Sequence, residues 1–167
     1  IRAAAAAKAP LAIRGGATKD ALGGPIEGEP LDMRPLAGVV SYEPSELVVT
    51  VRAGTLLAEL EALLAQHGQC LPFEPPRFDA VAEGAALSGT VGGMVAACLS
   101  GPSRASVGSV RDYVLGAGML NGRGEHLVFG GQVMKNVAGY DLSRVLAGSM
   151  GVLGVITELS LKVLAVA

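Results

Sequence analysis

The 167-residue chain carries 13 basic and 15 acidic residues, a formal net charge of −2, and half of its residues are hydrophobic. This size and hydrophobicity suit one domain or two small lobes with a sizeable core, which must be aliphatic because aromatic residues make up only 4%. A slightly acidic chain argues against nucleic acid as the main partner, since phosphate backbones are bound by basic faces.

The first 33 residues alternate between ordered and glycine-rich segments. The Ala-rich start superficially resembles a signal peptide, but Lys8 and Pro10 interrupt its apolar run, and we interpret it as a truncated helix. The elements predicted up to residue 33 are a helix (1–8), a strand (10–14), a turn at Gly15-Gly16, a loop (20–30) and a short strand (31–33).

The clearest helix is predicted over residues 55–66, after two paired strands (39–42 and 47–52) joined by a turn at 43–45. Its buried stripe consists of leucines at helical spacing: Leu56, Leu57, Leu60, Leu63 and Leu64. Thr55 is the predicted N-cap, and Gly68 stands where a left-handed residue would end the helix.

Three prolines within residues 72–79 exclude regular structure there, so we place a boundary between lobes of about 1–75 and 85–167. The second lobe is predicted to contain a helix (90–99), a strand (113–120), a turn at Asn121-Gly122, a return strand (125–129), a helix (141–146) capped by Asp141, and a half-buried strand (155–163). Because helices and strands do not alternate strictly, we expect an α+β fold rather than a doubly wound sheet. Residues 84–103 lack charge, but five glycines and a proline argue against a membrane-spanning helix.

Two glycine-rich segments are the candidate binding loops. Residues 14–19 (RGGATK) follow a predicted strand, and residues 88–93 (SGTVGG) precede a predicted helix. Consecutive amides in such loops converge on an anion, and a helix N-terminus adds partial positive charge. Hydroxyls of Thr18, Ser88 and Thr90 would add donors. Each segment alone is also compatible with an ordinary turn, and neither matches the Rossmann or P-loop pattern, but together they indicate a ligand between the lobes.

The order of motifs resembles the FAD-binding domain of the vanillyl-alcohol oxidase/PCMH superfamily. The motifs are RGGATK (14–19), VTVRAGTLLAELEALLAQHG (49–68), PFEPP (72–76), SGTVGGMVA (88–96), GSVRDYVLG (108–116) and LGVITELSLKVL (153–164). The stretch 134–156 is similar to the signature of the FAD-binding subunits of bacterial glycolate oxidase, the GlcE family. The likeness extends over nearly the whole chain.

The resemblance implies that FAD lies between the two lobes. Carried over by motif, it assigns FAD contacts to Arg14, Gly15, Gly16, Ala17 and Thr18 in the first loop, to Gly89, Thr90, Gly92 and Gly93 in the second, and to Pro75, Ser103, Ser106, Gly108, Gly154 and Ile156 elsewhere. Many relatives attach the flavin covalently through a His in or near the first loop. Because Ala17 and Thr18 stand there in this chain, we expect dissociable, non-covalent FAD.

The function implied by the resemblance is oxidation of glycolate or a similar 2-hydroxy acid. Hydride would pass to flavin N5, and electrons would leave through an iron–sulfur partner in a complex with a related flavin subunit. We expect a cytoplasmic protein, peripheral to the inner face of the membrane through these partners, whose substrate-capping domain is absent because the chain stops at Ala167. Two alternatives remain: a non-catalytic assembly or electron-relay subunit, and another PCMH-type flavoenzyme such as an enolpyruvyl-sugar reductase.

The remaining polar residues receive weaker assignments, and no catalytic residue or metal site is predicted. Cys70 and Cys98 are predicted to be buried free thiols, His67 to have a role at a helix end and His126 to be solvated. The residues Lys135, Asn136, Tyr140 and Asp141 form either a capped helix and turn or a contact with the flavin or a partner. For Arg14, Arg104 and Arg111, phosphate contacts and solvated surface charges both remain possible.

Overall fold

A computed structural model of the protein describes residues 1–22, 24–78, 80–82, 85–132 and 140–166. Among them, the helices are α1 (Arg2–Ala7), α2 (Leu57–Gln66), α3 (Val91–Ala97), α4 (Arg104–Val107), α5 (Val110–Tyr113) and α6 (Leu142–Val145). The strands are β1 (Leu11–Arg14), β2 (Glu29–Asp32), β3 (Val39–Glu43), β4 (Val48–Arg52), β5 (Gln69–Cys70), β6 (Ala80–Ala82), β7 (Ala85–Leu87), β8 (Val114–Leu120), β9 (His126–Gly130), β10 (Val155–Lys162) and β11 (Leu164–Ala165).

The largest sheet has five strands in the order β3–β4–β10–β8–β9, and every neighbouring pair is antiparallel. Its central strands β4 and β10 are rich in Val, Leu and Thr, which pack well on a pleated surface. They pair from Glu158 opposite Arg52 to Lys162 opposite Val48. Helices packed on an antiparallel sheet make the fold α+β, as the order of elements predicts.

The core lies between this sheet and two helices. Helix α3 packs on β4 and β10, and α2 packs on α3. The fully buried side chains there are almost all aliphatic, and they include Val49, Val51, Leu60, Leu64, Val91, Val95, Leu159 and Leu161. Burying each such side chain contributes about 1.5–3 kcal/mol to stability. The core is therefore built from aliphatic side chains, as the composition predicts.

The opposite face of the sheet is more polar. The hydroxyls of Thr50 and Ser160 are hydrogen-bonded to each other at 2.8 Å. The Gln132 amide donates to Thr50 Oγ1 at 3.1 Å and to Ser41 Oγ at 3.0 Å. Strand β4 is therefore buried on both faces over its first four residues.

Strands β1 and β2 form a separate parallel pair, from Leu11 opposite Glu29 to Arg14 opposite Asp32. The carboxylate of Asp32 accepts hydrogen bonds from the side chain and N–H of Arg34, which lowers its pKa from 3.8 to about 2. The pair fixes the point from which the first glycine-rich loop leaves β1.

The predicted boundary between lobes does not separate two sheets. Strands β3 and β4 precede residue 75 and strands β8 to β10 follow residue 85, yet all five form one sheet. Long-range pairing of β4 with β10 outweighs the local break that the prolines introduce. Short elements that local patterns did not indicate are α4, α5, β5, β6, β7 and β11.

Three predicted caps and turns are wrong in detail. Thr55 does not cap α2, because its hydroxyl accepts from the Gly38 N–H at 2.9 Å and donates to the Gly38 carbonyl. The β8–β9 turn spans residues 121–125 rather than two residues, with the Asn121 N–H donating to the Glu125 carbonyl at 3.1 Å. Asp141 precedes α6 but makes no side-chain cap. In contrast, Gly68 has the expected left-handed conformation, with a φ of 62°.

Both cysteines are free but only half-buried, rather than buried as expected. Burial, with a smaller contribution from Glu74, raises the pKa of the Cys70 thiol.

In the part of the chain that the structure describes, every helix is too short or too polar to cross a bilayer.

Candidate functional site

The first glycine-rich loop leaves β1 at Arg14 and bends at Gly15 and Gly16. Ala17 then adopts a left-handed conformation with a φ of 55°, which is uncommon for a residue with a side chain. Within the described ranges, the N–H groups of Gly16, Ala17 and Thr18 donate no hydrogen bond to the protein. Successive unbonded amides in such a bend form a concave surface suited to an anion.

The second loop (88–93) lies directly against the first. A Cβ atom added to Gly16 would overlap the main-chain carbonyl of Ser88, and one added to Gly15 would overlap Oγ1 of Thr90. Neither glycine has a positive φ, so close approach rather than backbone conformation requires glycine there. The two loops therefore meet at one place, as a ligand shared between them requires.

Two amides of the second loop already have acceptors in the protein. The Gly92 N–H donates to the Ala53 carbonyl at 2.8 Å. The Gly93 N–H donates to Oγ1 of Thr90 at 3.2 Å, so Thr90 caps α3. Both N–H groups are therefore already hydrogen-bonded within the protein, and the predicted contact of Gly92 and Gly93 with FAD stays a prediction. A Cβ on Gly92 would lie 2.8 Å from Cβ of Ala53, so this glycine allows α3 to approach the sheet.

An ion pair closes the first loop. The guanidinium of Arg14 lies 2.6 Å from the carboxylate of Asp20, and their side chains are 40% and 38% exposed. Nε of Arg14 is buried and has no hydrogen-bond partner among the described residues, which leaves one donor for another group. Arg14 is thus more than a solvated surface charge, the alternative that the sequence left open.

The family described as FAD binding domain matches residues 1–130 of the chain. The chain belongs to this FAD-binding domain family. It is 54% identical over 157 residues to the glycolate oxidase subunit GlcE of Escherichia coli (strain K12), an alignment that covers 94% of this chain and 43% of that protein. It is 32% identical over 152 residues to a D-lactate dehydrogenase of Anaerostipes hadrus, with coverages of 89% and 30%.

A solved structure supports the same assignment. Alkyldihydroxyacetonephosphate synthase matches with a TM-score of 0.74 and 27% identity, covering 98% of this chain and 31% of that one. The chain therefore spans less than half the length of these relatives. The resemblance drawn from the motifs is confirmed, and FAD is the cofactor of this domain.

The loops of this FAD-binding domain fit a diphosphate on three counts. Unbonded amides at Gly16, Ala17 and Thr18 supply donors, and the buried Nε of Arg14 supplies another. Gly15 and Gly16 leave no room for side chains, so the loop presents main-chain atoms.

Three other predicted site residues, Pro75, Ser103 and Ser106, lie in one cluster. Pro75 is buried, and the adjacent carboxylate of Glu74 accepts a hydrogen bond from the Ser103 N–H at 2.9 Å, which lowers the pKa of Glu74. A Cβ on Gly101 would lie 2.6 Å from the Glu74 carbonyl oxygen, so the two segments pack closely. The Ser106 hydroxyl donates to the Ser103 carbonyl at 3.0 Å. The structure thus joins the proline-rich segment to the start of α4.

The last predicted site residues are placed mainly by backbone constraints. Gly154 precedes β10 with a φ of 146°, and a Cβ there would lie 2.5 Å from the Leu120 carbonyl oxygen. The Ile156 side chain is only 6% exposed and belongs to the core. Gly108 has a φ of 95° and lies beside the Asp112 carboxylate, which accepts from the Ser109 N–H in the capping box of α5.

Sequence reasoning assigned no role to two charged residues of the first loop, Lys19 and Asp20. The Lys19 ammonium donates to Thr18 Oγ1 at 3.4 Å and lies 5.5 Å from the centroid of the Phe78 ring. The sequence contained a signal for the ion pair of Asp20 with Arg14. These two residues carry opposite charges at the two ends of a short glycine-rich loop, and their attraction favours closure of the loop.

The polar residues outside the loops show little that links them to the site. Tyr140 is 92% exposed, and Asp141 pairs with Arg144 at 2.8 Å. Lys135 and Asn136 lie outside the described residues. His67 packs edge-on against the Tyr42 ring, whereas His126, Arg104 and Arg111 are exposed.

Proposed function

We propose that the FAD diphosphate lies where the two loops meet and is held mainly by the first. The unbonded amides of Gly16, Ala17 and Thr18 are its main-chain donors, and Nε of Arg14 adds a charged one. Gly15 allows the close approach. The second loop contributes through Gly89 and Thr90, while Gly92 and Gly93 support the site by packing and capping α3.

We propose that the rest of the cofactor extends along surfaces already linked to these loops. The cluster of Pro75, Ser103 and Ser106, with Gly108 beyond it, and the start of β10 at Gly154 and Ile156 would border the adenosine or the flavin. The hydrogen bond from Ser103 to Glu74 supports a common surface for the cluster. Because Ala17 and Thr18 offer no imidazole to the flavin, the cofactor is bound non-covalently.

We propose that the full-length protein is the FAD-binding subunit of an enzyme that oxidises glycolate, or a similar 2-hydroxy acid, to the 2-oxo acid. The observation that carries this proposal is the 54% identity to a glycolate oxidase subunit across 94% of the chain. When bound, FAD supplies a hydride acceptor at N5 for the substrate Cα–H. The chain's part is to bind and orient that cofactor.

The proposed partners are a related flavin subunit and an iron–sulfur subunit that receives the electrons. Free cysteines are compatible with a reducing cytoplasm, and we propose a cytoplasmic location, peripheral to the inner face of the membrane through these partners. The alternative is a subunit for assembly or electron relay, in which the related flavin subunit oxidises the substrate.

A visible spectrum of the purified full-length protein, followed by anaerobic addition of glycolate, tests the proposal. Flavin bands that bleach on addition support an oxidising subunit, and bands that persist favour the relay role. Acid precipitation should release the flavin into the supernatant if binding is non-covalent. Failure to bind any flavin, even after incubation with FAD, would overturn the proposed function.

A further inference from the structure

The proline-rich segment (72–76) is bonded to the segment 100–108 at two adjacent residues. The Phe73 carbonyl accepts a hydrogen bond from the Gly101 N–H at 2.9 Å. The Glu74 carboxylate accepts one from the Ser103 N–H, also at 2.9 Å. A Cβ atom on Gly101 would lie 2.7 Å from Cβ of Glu74, so the two segments lie directly against each other.

The backbone conformation of Glu74 is unusual for a residue with a side chain. Its φ is 48°, in the left-handed region that glycine adopts more readily. Residues strained in this way persist where their surroundings or a function hold them. The Glu74 side chain is exposed, so apolar packing does not explain a glutamate here. The N–H of Ser103, and then its hydroxyl, lower the pKa of Glu74 by hydrogen bonding, so the carboxylate is charged at neutral pH.

Both ends of the segment 100–108 are held by residues of the core rather than by Glu74. At one end, the Ser100 hydroxyl accepts from the Val110 N–H at 3.3 Å. At the other, the Tyr113 hydroxyl donates to the Val107 carbonyl at 2.7 Å, and the Tyr113 ring lies 5.3 Å from the fully buried ring of Phe73. Loss of the Glu74 carboxylate should therefore loosen the middle of the segment without unfolding the domain.

We propose that Glu74 is a positioning residue for FAD, whose carboxylate fixes Ser103 and with it the first turn of α4. This deepens the proposed function and rests on the proposed placement of FAD. Ser103 is the residue before α4, and its carbonyl accepts from the Ser106 hydroxyl at 3.0 Å, so fixing Ser103 also places Ser106. Glu74 acts through Ser103 and does not touch the cofactor.

The test compares Glu74→Gly and Glu74→Gln with Lys8→Gly in the full-length protein. Glycine accepts the left-handed conformation and removes the carboxylate, whereas glutamine keeps an acceptor oxygen at the same reach. Lys8→Gly is the matched control, because Lys8 is exposed and left-handed, with a φ of 52°, and its side chain forms no hydrogen bond or ion pair with the described residues. FAD dissociation constants are measured by flavin fluorescence. Thermal unfolding and amide hydrogen exchange are measured on the cofactor-free proteins.

We expect Glu74→Gly to raise the FAD dissociation constant about tenfold, as loss of a hydrogen bond to a charged acceptor implies. Its thermal midpoint should stay close to that of wild type, because relief of backbone strain offsets the lost hydrogen bond. Amide exchange should quicken over residues 101–106 and stay unchanged in the five-stranded sheet. Glu74→Gln should bind FAD within about threefold of wild type and Lys8→Gly within about twofold.

Four other outcomes would contradict the proposal in distinguishable ways. Equal FAD binding by wild type and Glu74→Gly overturns the role of Glu74 and leaves the proposed function intact. A loss of affinity that comes with a large fall in the thermal midpoint shows that Glu74 stabilises the domain rather than positions Ser103. Glu74→Gln that binds no better than Glu74→Gly shows that the hydrogen bond is not the cause. A wild-type protein that binds no FAD overturns the proposed function itself.

Discussion

The two glycine-rich loops look alike in the sequence, but the structure uses their glycines differently. In the first loop, Gly16 lets main chains of the two loops touch and Gly15 makes room for the Thr90 side chain, while the amides of residues 16–18 remain unbonded. In the second loop, the amides of Gly92 and Gly93 have acceptors within the protein, and Gly92 packs against Ala53. A glycine-rich sequence therefore indicates close approach, but not whether a ligand or another part of the protein is approached.

The left-handed residue of the site is also not a glycine. Ala17 has a φ of 55°, whereas none of the glycines at 15, 16, 89, 92 and 93 has a positive φ. Conformational freedom, the usual reason given for glycine in a loop, thus explains neither loop. Substitutions at these positions separate the effects of close approach, helix packing and backbone conformation.

The largest effect is expected for Gly16→Ala. The added methyl group would overlap the Ser88 carbonyl, so the two loops must separate. Overpacking of this kind typically costs about 1–3 kcal/mol of stability, and FAD affinity should fall more than tenfold, because separation moves both sides of the proposed site. Urea unfolding and fluorescence titration of the full-length protein measure the two quantities.

Gly122→Ala is the control for this substitution, since a methyl group at Gly122 meets no atom within 4 Å and Gly122 has no positive φ. It should change neither stability nor FAD affinity appreciably. Normal FAD binding by Gly16→Ala would show that contact between the loops is not needed for the cofactor.

A smaller effect is expected at the second loop, and it should change stability rather than FAD affinity. Gly92→Ala places a methyl group 2.8 Å from Cβ of Ala53 and should destabilise the fold by at most about 2 kcal/mol, after the gain of about 1 kcal/mol in helix propensity is subtracted from the cost of overpacking. Gly93→Ala gains the same propensity, and its methyl group meets only Thr90 Oγ1, at 3.2 Å, so it should be neutral or stabilising. Thermal unfolding distinguishes the pair.

FAD affinity of the folded protein should change little in either variant, because both amides are hydrogen-bonded within the protein. If Gly93→Ala lost FAD binding without losing stability, the N-terminus of α3 would have to be part of the anion site.

The sequence predicts most elements with strong periodicity and misses what depends on distant partners. The leucines of α2 and the Val-rich β4 are evident from local pattern, and so is the turn after β1. The predicted boundary at residues 75–85 does not separate two sheets, because β4 pairs with β10 about a hundred residues later and no local signal encodes that pairing. Thr55 looks like an N-cap, but a long-range hydrogen bond with Gly38 takes its hydroxyl.

The candidate site follows the same pattern. Motif order alone indicates that residues 14–18 and 88–93 serve one ligand, and the contact of Gly16 with Ser88 agrees with it. The acceptors of the Gly92 and Gly93 amides come from the end of β4 and from a side-chain cap, and spacing within the loop does not reveal them. The approach of the Lys19 ammonium to the ring of Phe78 and to the main chain of Gly89, about sixty and seventy residues away, is likewise not evident from spacing.

The smallest effect is expected at Ala17, where conformation alone is at issue. A residue with a Cβ in the left-handed region is strained by about 1–2 kcal/mol, but glycine also gains entropy in the unfolded chain, which offsets about 0.4–1 kcal/mol. Ala17→Gly should therefore stabilise the protein by at most about 1.5 kcal/mol, whereas Ala17→Val should destabilise it, because branching at Cβ disfavours positive φ further. Urea unfolding should rank the variants with Gly, Ala and Val at position 17 in that order of falling stability.

If the bend at Ala17 binds the diphosphate, FAD affinity should fall in Ala17→Val, because valine disfavours the left-handed conformation. It should stay unchanged in Ala17→Gly, because glycine adopts that conformation readily. Equal affinity in all three would mean that the left-handed bend is a feature of folding and that the cofactor's anion is held elsewhere.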